Sequence, residues 1–344
     1  MRAQLESFLM KTWMKRGIVA VLLWPISALF GIILYCRFYL RSLGLVSSTK
    51  LSVPVIVVGN IFIGGTGKTP MVIWLVNVLR RAGWTPGVIS RGYGVNVERI
   101  QEVLADSSAA VVGDEPLLIV QRTNCPMMVG RHRVASARHL LNKYPEVDII
   151  ISDDGLQHYA LERDIEIAMF DQRGVGNGWL LPAGPLRESA HRPRDFTVLN
   201  YAGTEPVLGI GDRVTSMRLQ IGELIQLQRA EVRQSLSAIR GKKILAAAGI
   251  GNPQRFFDSL EEQGISFKTM PLADHFAFTP ELFRNEDAEI ILITEKDAVK
   301  CRQIAELRED PRIWLVPVTA ELDAEFEHQL LNLISEKKYG RTSA

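Results

Sequence analysis

A short apolar run that ends in a glycine-rich loop and passes straight into a helix limits what this chain can fold into more than any other segment. Val53 to Val58 reads as a buried strand, Gly59-Asn60-Ile61-Phe62-Ile63-Gly64-Gly65-Thr66-Gly67-Lys68-Thr69 follows, and a helix is expected over Thr69 to Arg81. Glycines let consecutive N–H groups turn inward around a phosphate, and the new helix points its positive end at the same place. Lys68 then reaches the β- and γ-phosphates and Thr69 is placed to ligate Mg²⁺. Phe62, Ile63, Gly64, Gly65, Thr66, Gly67, Lys68 and Thr69 are therefore the candidate ATP-binding residues, although Phe62 stands where the Walker pattern has its first glycine. Ile63 occupies the position at which membrane-partitioning ATPases carry a lysine, which argues against that class. No N-K-x-D base-reading motif is found for a GTPase.

Downstream, apolar β-branched runs alternate with helical stretches, the pattern of a parallel α/β sheet. Strands are expected near Gly87 to Ser90, Met127 to Val129, Asp148 to Ser152, Ile165 to Phe170 and Thr197 to Asn200. Their apolar character is continuous, as in central strands covered on both faces. The fold class is thus a P-loop NTPase-type doubly wound sheet. Gly203, Pro206, Gly209, Gly211 and Gly222 mark a hinge, after which Ile244 to Ala248, Ile290 to Thr294, Trp314 to Val318 and a helix from Glu325 to Lys337 form a smaller second α/β unit. The expected division is 1–45 as a membrane anchor, 46–205 as the P-loop domain, 206–225 as the linker and 226–344 as the second domain; 344 residues exceed what one core usually organises.

Several acids and bases accompany the loop. Asp148 to Asp154 is an apolar strand ending in two carboxylates, Asp153 and Asp154, the arrangement that holds Mg²⁺ at the edge of such a sheet. Gly113-Asp114-Glu115-Pro116 opens a helix, where Asp114 is either a cap or the carboxylate that receives an acceptor hydroxyl's proton. His275, in Leu272-Ala273-Asp274-His275, is a candidate partner from the second unit, and Arg187, in a Gly- and Pro-rich loop from Gly178 to Glu188, is a candidate phosphate clamp.

The N-terminus adds a different requirement. Gly17 to Cys36 is a run of 20 uncharged residues between Arg16 and Arg37, long enough as a helix for one hydrocarbon thickness, with Trp13, Trp24, Tyr35, Phe38 and Tyr39 near or within its ends. Both flanks are basic and Pro25 and Gly31 interrupt the run, so a shallow or re-entrant anchor on anionic lipid is expected in preference to a full crossing. A net charge of +2, from 40 basic and 38 acidic residues, gives no field that would collect nucleic acid. Cys36, Cys125 and Cys301 are isolated, which supports neither a disulfide framework nor a zinc site, and no obligate protein partner is called for.

Taken in order, the motifs resemble the tetraacyldisaccharide 4'-kinase family, the lipid A 4'-kinases. The resemblance rests on Gly59-Asn60 with Gly64 to Pro70, Ser90-Arg91-Gly92-Tyr93-Gly94, Gly113 to Pro116, Asp153 to His158, Leu181 to Glu188, Ala248 to Pro253, Leu272 to His275 and Thr294 to Lys300. It implies Mg²⁺-assisted in-line transfer of the γ-phosphate of ATP to the 4'-hydroxyl of an acylated glucosamine disaccharide 1-phosphate, giving lipid IVA, at the cytoplasmic face of the inner membrane. It also implies Asp114 as base with His275 assisting, Lys68 and Thr69 on the phosphates and metal, and Asp153 and Asp154 organising Mg²⁺. Glu115, Arg133, His158, Arg187 and Glu188 become supports for phosphate or disaccharide.

Overall fold

The computed structural model describes residues 2–45, 47–92, 99–201, 203, 207, 209–211 and 213–342. Tyr93 and Gly94 of the Ser90–Gly94 motif and Pro206 of the expected hinge lie outside them. Among the described residues the chain builds two sheets.

The larger sheet contains β1 (Val55–Asn60), β2 (Pro86–Ser90), β3 (Gln101–Glu102), β4 (Met127–Val129), β5 (Ile149–Asp153), β6 (Ile165–Asp171), β7 (Phe196–Asn200), β8 (Val214–Ile221) and a late strand, Val318–Leu322. Its order is late strand, β8, β7, β6, β1, β5, β2, β4, β3, and all but the late strand and β3 run parallel to their neighbours. Successive side chains of a strand face opposite ways, and both faces are covered here. Ile56 and Val58 of β1 enter one core cluster with α3 (Lys68–Arg81) and α5 (Asp114–Thr123), while Val55 and Val57 enter a second with α6 (Arg133–Lys143). That two-sided burial explains the uninterrupted apolar runs. The register pairs Val58 with Asp153, so the loop after β1 and the acids ending β5 emerge side by side.

The smaller sheet holds β9 (Leu224–Gln226), β10 (Arg233–Gln234), β11 (Ile244–Ala248), β12 (Lys268–Pro271), β13 (Ile290–Thr294) and β14 (Ile313–Val316), in the order β10, β9, β14, β13, β11, β12. The late strand of the first sheet is β15. The helices not yet placed are α1 (Arg2–Trp13), α2 (Ile18–Ser42), α4 (Ala109–Val112), α7 (Pro253–Glu262), α8 (Glu281–Arg284), α9 (Glu295–Cys301), α10 (Ala305–Arg308) and α11 (Ala324–Thr342).

Two boundaries differ from the sequence reading. The segment read as a hinge contains β8, which pairs with β7 and with β15. The expected second domain also loses its C-terminal part: β15 and α11 return to the first sheet, where Phe326, Leu330 and Ile334, spaced four apart on one helix face, join the first core. Burying such side chains is worth about 2 kcal/mol each, which holds the helix on the first sheet. The chain thus leaves the first sheet after β8 and re-enters it at β15.

α2 is long and apolar enough to cross a membrane by length and composition, with a mean hydropathy of 2.4 over an 18-residue window within Ile18–Arg41. One of its faces is taken by the protein. Ala20 is fully buried, the Ser27 hydroxyl donates to the Leu180 carbonyl and accepts from the Ala183 N–H, both at 2.8 Å, and a side chain at Gly31 would press on Leu180. Ile18, Leu22, Ile26, Leu29 and Ile33, on the opposite face, are exposed.

Candidate active site

The loop after β1 turns where glycine allows it. Gly64 and Gly67 have φ of 102° and 92°, in the region that side chains resist. A Cβ on Gly67 would also lie 2.1 Å from Asn200 Nδ2. Phe62 has no cradle role for its side chain: the ring is fully buried in the core and its backbone bridges Leu186. Ile63 spends its N–H on the Pro185 carbonyl at 3.0 Å. The cradle therefore starts at Gly64, later than the expected set, because the residues before it are tied to the 180–188 loop. Asn60 braces it from beneath, donating to the carbonyls of Phe62 and Gly64 at 2.6 and 2.7 Å and accepting from Lys68 Nζ at 3.1 Å. Asn200 donates to the Thr66 carbonyl, and Arg173 to that of Gly65. Gly67 caps α3, whose third residue is Pro70, a first-turn position where a missing N–H costs nothing.

Across β5 the two acids separate in environment. Asp153 is buried; its Oδ2 accepts from Ser90 Oγ at 3.1 Å, whereas Oδ1 is buried with no hydrogen-bond partner among the described residues. Burial, with the charges of Glu115 and Asp154, pushes its carboxyl up to about 7. Asp154, held at a positive φ of 49°, lies 3.0 Å from Arg187 Nη1 and 3.7 Å from Lys68 Nζ. Burial works to raise its pKa, but Lys68 and Arg187 outweigh it and hold the carboxyl low. The unpartnered buried Asp153 Oδ1, next in sequence to a second carboxylate, fits a hard cation that takes only one or two protein carboxylates, as Mg²⁺ does.

Asp114 opens α5 as its first helical residue. Its Oδ1 accepts from the Glu115 N–H at 2.9 Å, and Oδ2 lies 3.0 Å from Nδ1 of His275, which comes from the second unit at a φ of 57°. The capping reading does not hold: Gly113 is the N-cap of α5 and Asp114 its first helical residue, so Oδ1 bonds the next N–H along and Oδ2 is committed to the histidine. Burial would raise the Asp114 pKa, but His275, Lys296 and Lys300 together lower it, while the bond to Asp114 raises that of His275. The pair is polarised as a carboxylate facing a readily protonated imidazole. A Cβ on Gly251 would meet the Gly65 nitrogen at 3.1 Å and Asp274 Oδ2 at 3.3 Å, so the residue before His275 lies beside the phosphate loop.

The remaining candidates divide. Arg187 lies in the site, between Asp154 and Gln157. Glu115 also lines it, held by Lys296 at 2.9 Å. Arg133 does not reach outward as a substrate support: it is buried behind the acids, donating to the carbonyls of Asp153 at 2.8 Å and Gly130 at 3.3 Å, and burial pulls its pKa down to about 10. Glu188 is likewise consumed, both oxygens accepting from Arg192, with Gln157 and Tyr159 as further donors. His158 accepts the Arg133 N–H at 3.4 Å. For Arg133 and Glu188 a charge that cannot be left unpaired in the interior has turned to its neighbours. Sequence reasoning missed Asn60, Asn200, Arg173 and Lys296 as parts of the site. Asn60 and Lys296 were signalled only by membership in the Gly59-Asn60 and Thr294–Lys300 motifs.

A phosphate cradle, two sheet-edge acids and a carboxylate–histidine pair around one cleft define a P-loop phosphotransferase. The comparisons agree. Residues 19–335 match the family model described as Tetraacyldisaccharide-1-P 4'-kinase. The chain is 54% identical over 347 residues to a tetraacyldisaccharide 4'-kinase of Janthinobacterium sp. (strain Marseille), covering 100% of this chain and 99% of that one. It is 51% identical over 341 residues to the one of Herminiimonas arsenicoxydans, covering 96% of each. A crystal structure of LpxK from Aquifex aeolicus, described as an "apo" form in complex with ATP, superposes with a TM-score of 0.77 at 27% identity, covering 93% of this chain and 99% of that one. The chain belongs to the tetraacyldisaccharide-1-P 4'-kinase family, and it is a kinase of lipid A biosynthesis.

Proposed function

We propose that this kinase transfers the γ-phosphoryl group of ATP to the 4'-hydroxyl of a tetraacylated glucosamine disaccharide 1-phosphate, yielding lipid IVA and ADP. The observation that carries the reading is the Asp114–His275 pair, 3.0 Å apart, with Asp274 beside the phosphate loop at Gly251. The sugar oxygen attacks phosphorus in line, its bond to phosphorus forms, and the bond from phosphorus to the β-bridging oxygen breaks. Asp114 takes the hydroxyl proton, and His275 stabilises the carboxyl and carries the proton away. Lys68 and Arg187 offset charge on the transferred group, and the N–H groups of Gly64 to Lys68 hold the phosphates. Asp153, Asp154 and Thr69 would hold Mg²⁺, whose charge would offset that of the phosphates.

The acceptor is a lipid, so the site must work beside a membrane. α2 suits a shallow anchor: the side built on Ala20, Ser27 and Gly31 is attached to the 177–184 loop, and the exposed apolar side is free to enter one leaflet. Arg16, which donates to the Asn177 carbonyl, and Arg37 and Arg41, which lie over the Tyr159 ring, flank the apolar stretch with charge that favours anionic headgroups. We place the catalytic body on the cytoplasmic side, where ATP is. Transfer of labelled γ-phosphate from ATP to purified tetraacyldisaccharide 1-phosphate in detergent micelles, beside a Lys68→Ala control, tests the reading. Labelled lipid that disappears in the control supports it; released free phosphate with no labelled lipid overturns it in favour of a coupled ATPase.

A further inference from the structure

Thr294–Lys300 carries the resemblance to the family, yet none of its residues enters the chemistry above. α9 starts rigidly. The Thr294 hydroxyl accepts from the Asp297 N–H and donates to Asp297 Oδ2 at 2.8 Å, and the fully buried Asp297 also accepts the Gly249 N–H at 2.9 Å and meets Lys300 at 2.9 Å. On this fixed turn, Lys296 reaches out of the second unit. Its ammonium lies 2.9 Å from Glu115 Oε1, on the helix of Asp114, and 3.2 Å from Asp274 Oδ1, one residue before His275. One side chain thus touches the immediate neighbour of each member of the pair.

We propose that Lys296 is a positioning residue for phosphoryl transfer: by bridging Glu115 and Asp274 it sets the Nδ1 of His275 on Asp114 across the cleft. The inference rests on the kinase reading. Two features show why a tether is needed there. His275 holds a left-handed backbone conformation that a non-glycine residue adopts only when its surroundings impose it. The two partners also lie 161 residues apart, Asp114 on a helix packed against the first sheet and His275 on the loop after β12 of the second, and the two sheets share no ladder among the described residues. A second contribution follows from charge. The groups facing the pair are Glu115 on α5, Asp274 beside His275, and Lys296 and Lys300 on α9, with Lys68 beyond Glu115. Lys296 favours the ionised Asp114 and the neutral His275, so its loss raises the pKa of both.

The test compares full-length wild type with Lys296→Met and Lys296→Arg in the labelled-phosphate assay across pH. Wild type that does not label lipid would sink the kinase reading itself, before any variant is measured. With an active wild type, Lys296→Met is expected to lower kcat about 10- to 100-fold with the KM for ATP held within about twofold, since a displacement near 1 Å is enough for such a loss. The acid limb of its pH profile should move to higher pH, and Lys296→Arg should recover much of the rate. A Lys296→Met enzyme with wild-type kcat, or one whose lowered kcat comes with an unmoved limb and no recovery by arginine, overturns the proposal. Should Lys296→Met fail to fold, Asp274→Asn cuts the same tether at a more exposed residue. It must then lower kcat at constant KM for ATP, and an unchanged kcat counts against the inference.

Discussion

The two sides of the cleft are built differently. On the first sheet, the residues proposed to face phosphate come from one continuous stretch, Gly64 to Thr69, with their geometry fixed by backbone: glycine dihedrals, a helix start and hydrogen bonds from Asn60 and Asn200. On the second unit, His275 arrives on a loop, and side chains hold it, through Asp274, Lys296 and Asp114. A nucleotide-binding edge made of backbone is rigid before any ligand arrives, while an acceptor-side edge made of ion pairs depends on how the two units meet. The two sides should therefore fail in different ways.

The largest effect is expected from Lys68→Ala, which removes the charge on the transferring phosphate and the partner of Asn60 and Asp154. Transfer should fall by at least about 10³-fold together with weaker ATP binding, read by isothermal titration beside the labelled-phosphate assay. On the other side, Asp114→Ala should lower kcat by about 10² to 10⁴ with ATP affinity nearly unchanged, and His275→Ala should do the same to a smaller extent. A His275 variant that loses ATP affinity as Lys68→Ala does would erase the distinction between the two sides. Gly67→Ala sharpens it at the level of backbone. Its φ of 92° and the 2.1 Å approach of Asn200 predict about 1 to 3 kcal/mol of destabilisation in a thermal or urea melt, with ATP binding lost alongside.

The smallest effect concerns His158. Burial and the nearby Arg133 pull its pKa down to about 4, from a reference value of 6.5. An unfolded chain protonates this histidine as pH drops below about 6.5 and the folded one resists until about 4, so stability is lost as pH falls through that window. After allowance for partial exposure the loss is about 1 to 2 kcal/mol, and His158→Gln should flatten urea midpoints measured between those limits.

The same contrast decides what the sequence made legible. Gly64 to Thr69 and the paired acids could be read because strand, loop and helix follow one another and the chemistry leaves few alternatives. Asp114 and His275 could be named as candidates, but their meeting depends on two units folding against each other. Arg133 and Glu188 were placed on the substrate because charges in a loop suggest solvent or ligand, whereas burial turned both towards neighbouring carbonyls, bases and a phenol. β8 escaped notice because only Met217 of its eight residues is buried, which leaves little apolar signal between flanking glycines. The assignment of α11 failed for the opposite reason: Phe326, Leu330 and Ile334 announce a buried helix face but not which sheet it covers.

The return of the chain to its first sheet has one more consequence. β8 and β15 are antiparallel neighbours, with Ile221 opposite Val318 and the Gly222 N–H bonded to the Pro317 carbonyl at 2.9 Å. Everything between them is in effect an insertion into a hairpin, its two ends entering and leaving at adjacent points. Replacing residues 223–317 by a short turn would restore a plain hairpin and leave the first sheet continuous, so the whole second sheet is carried as a single loop-borne module.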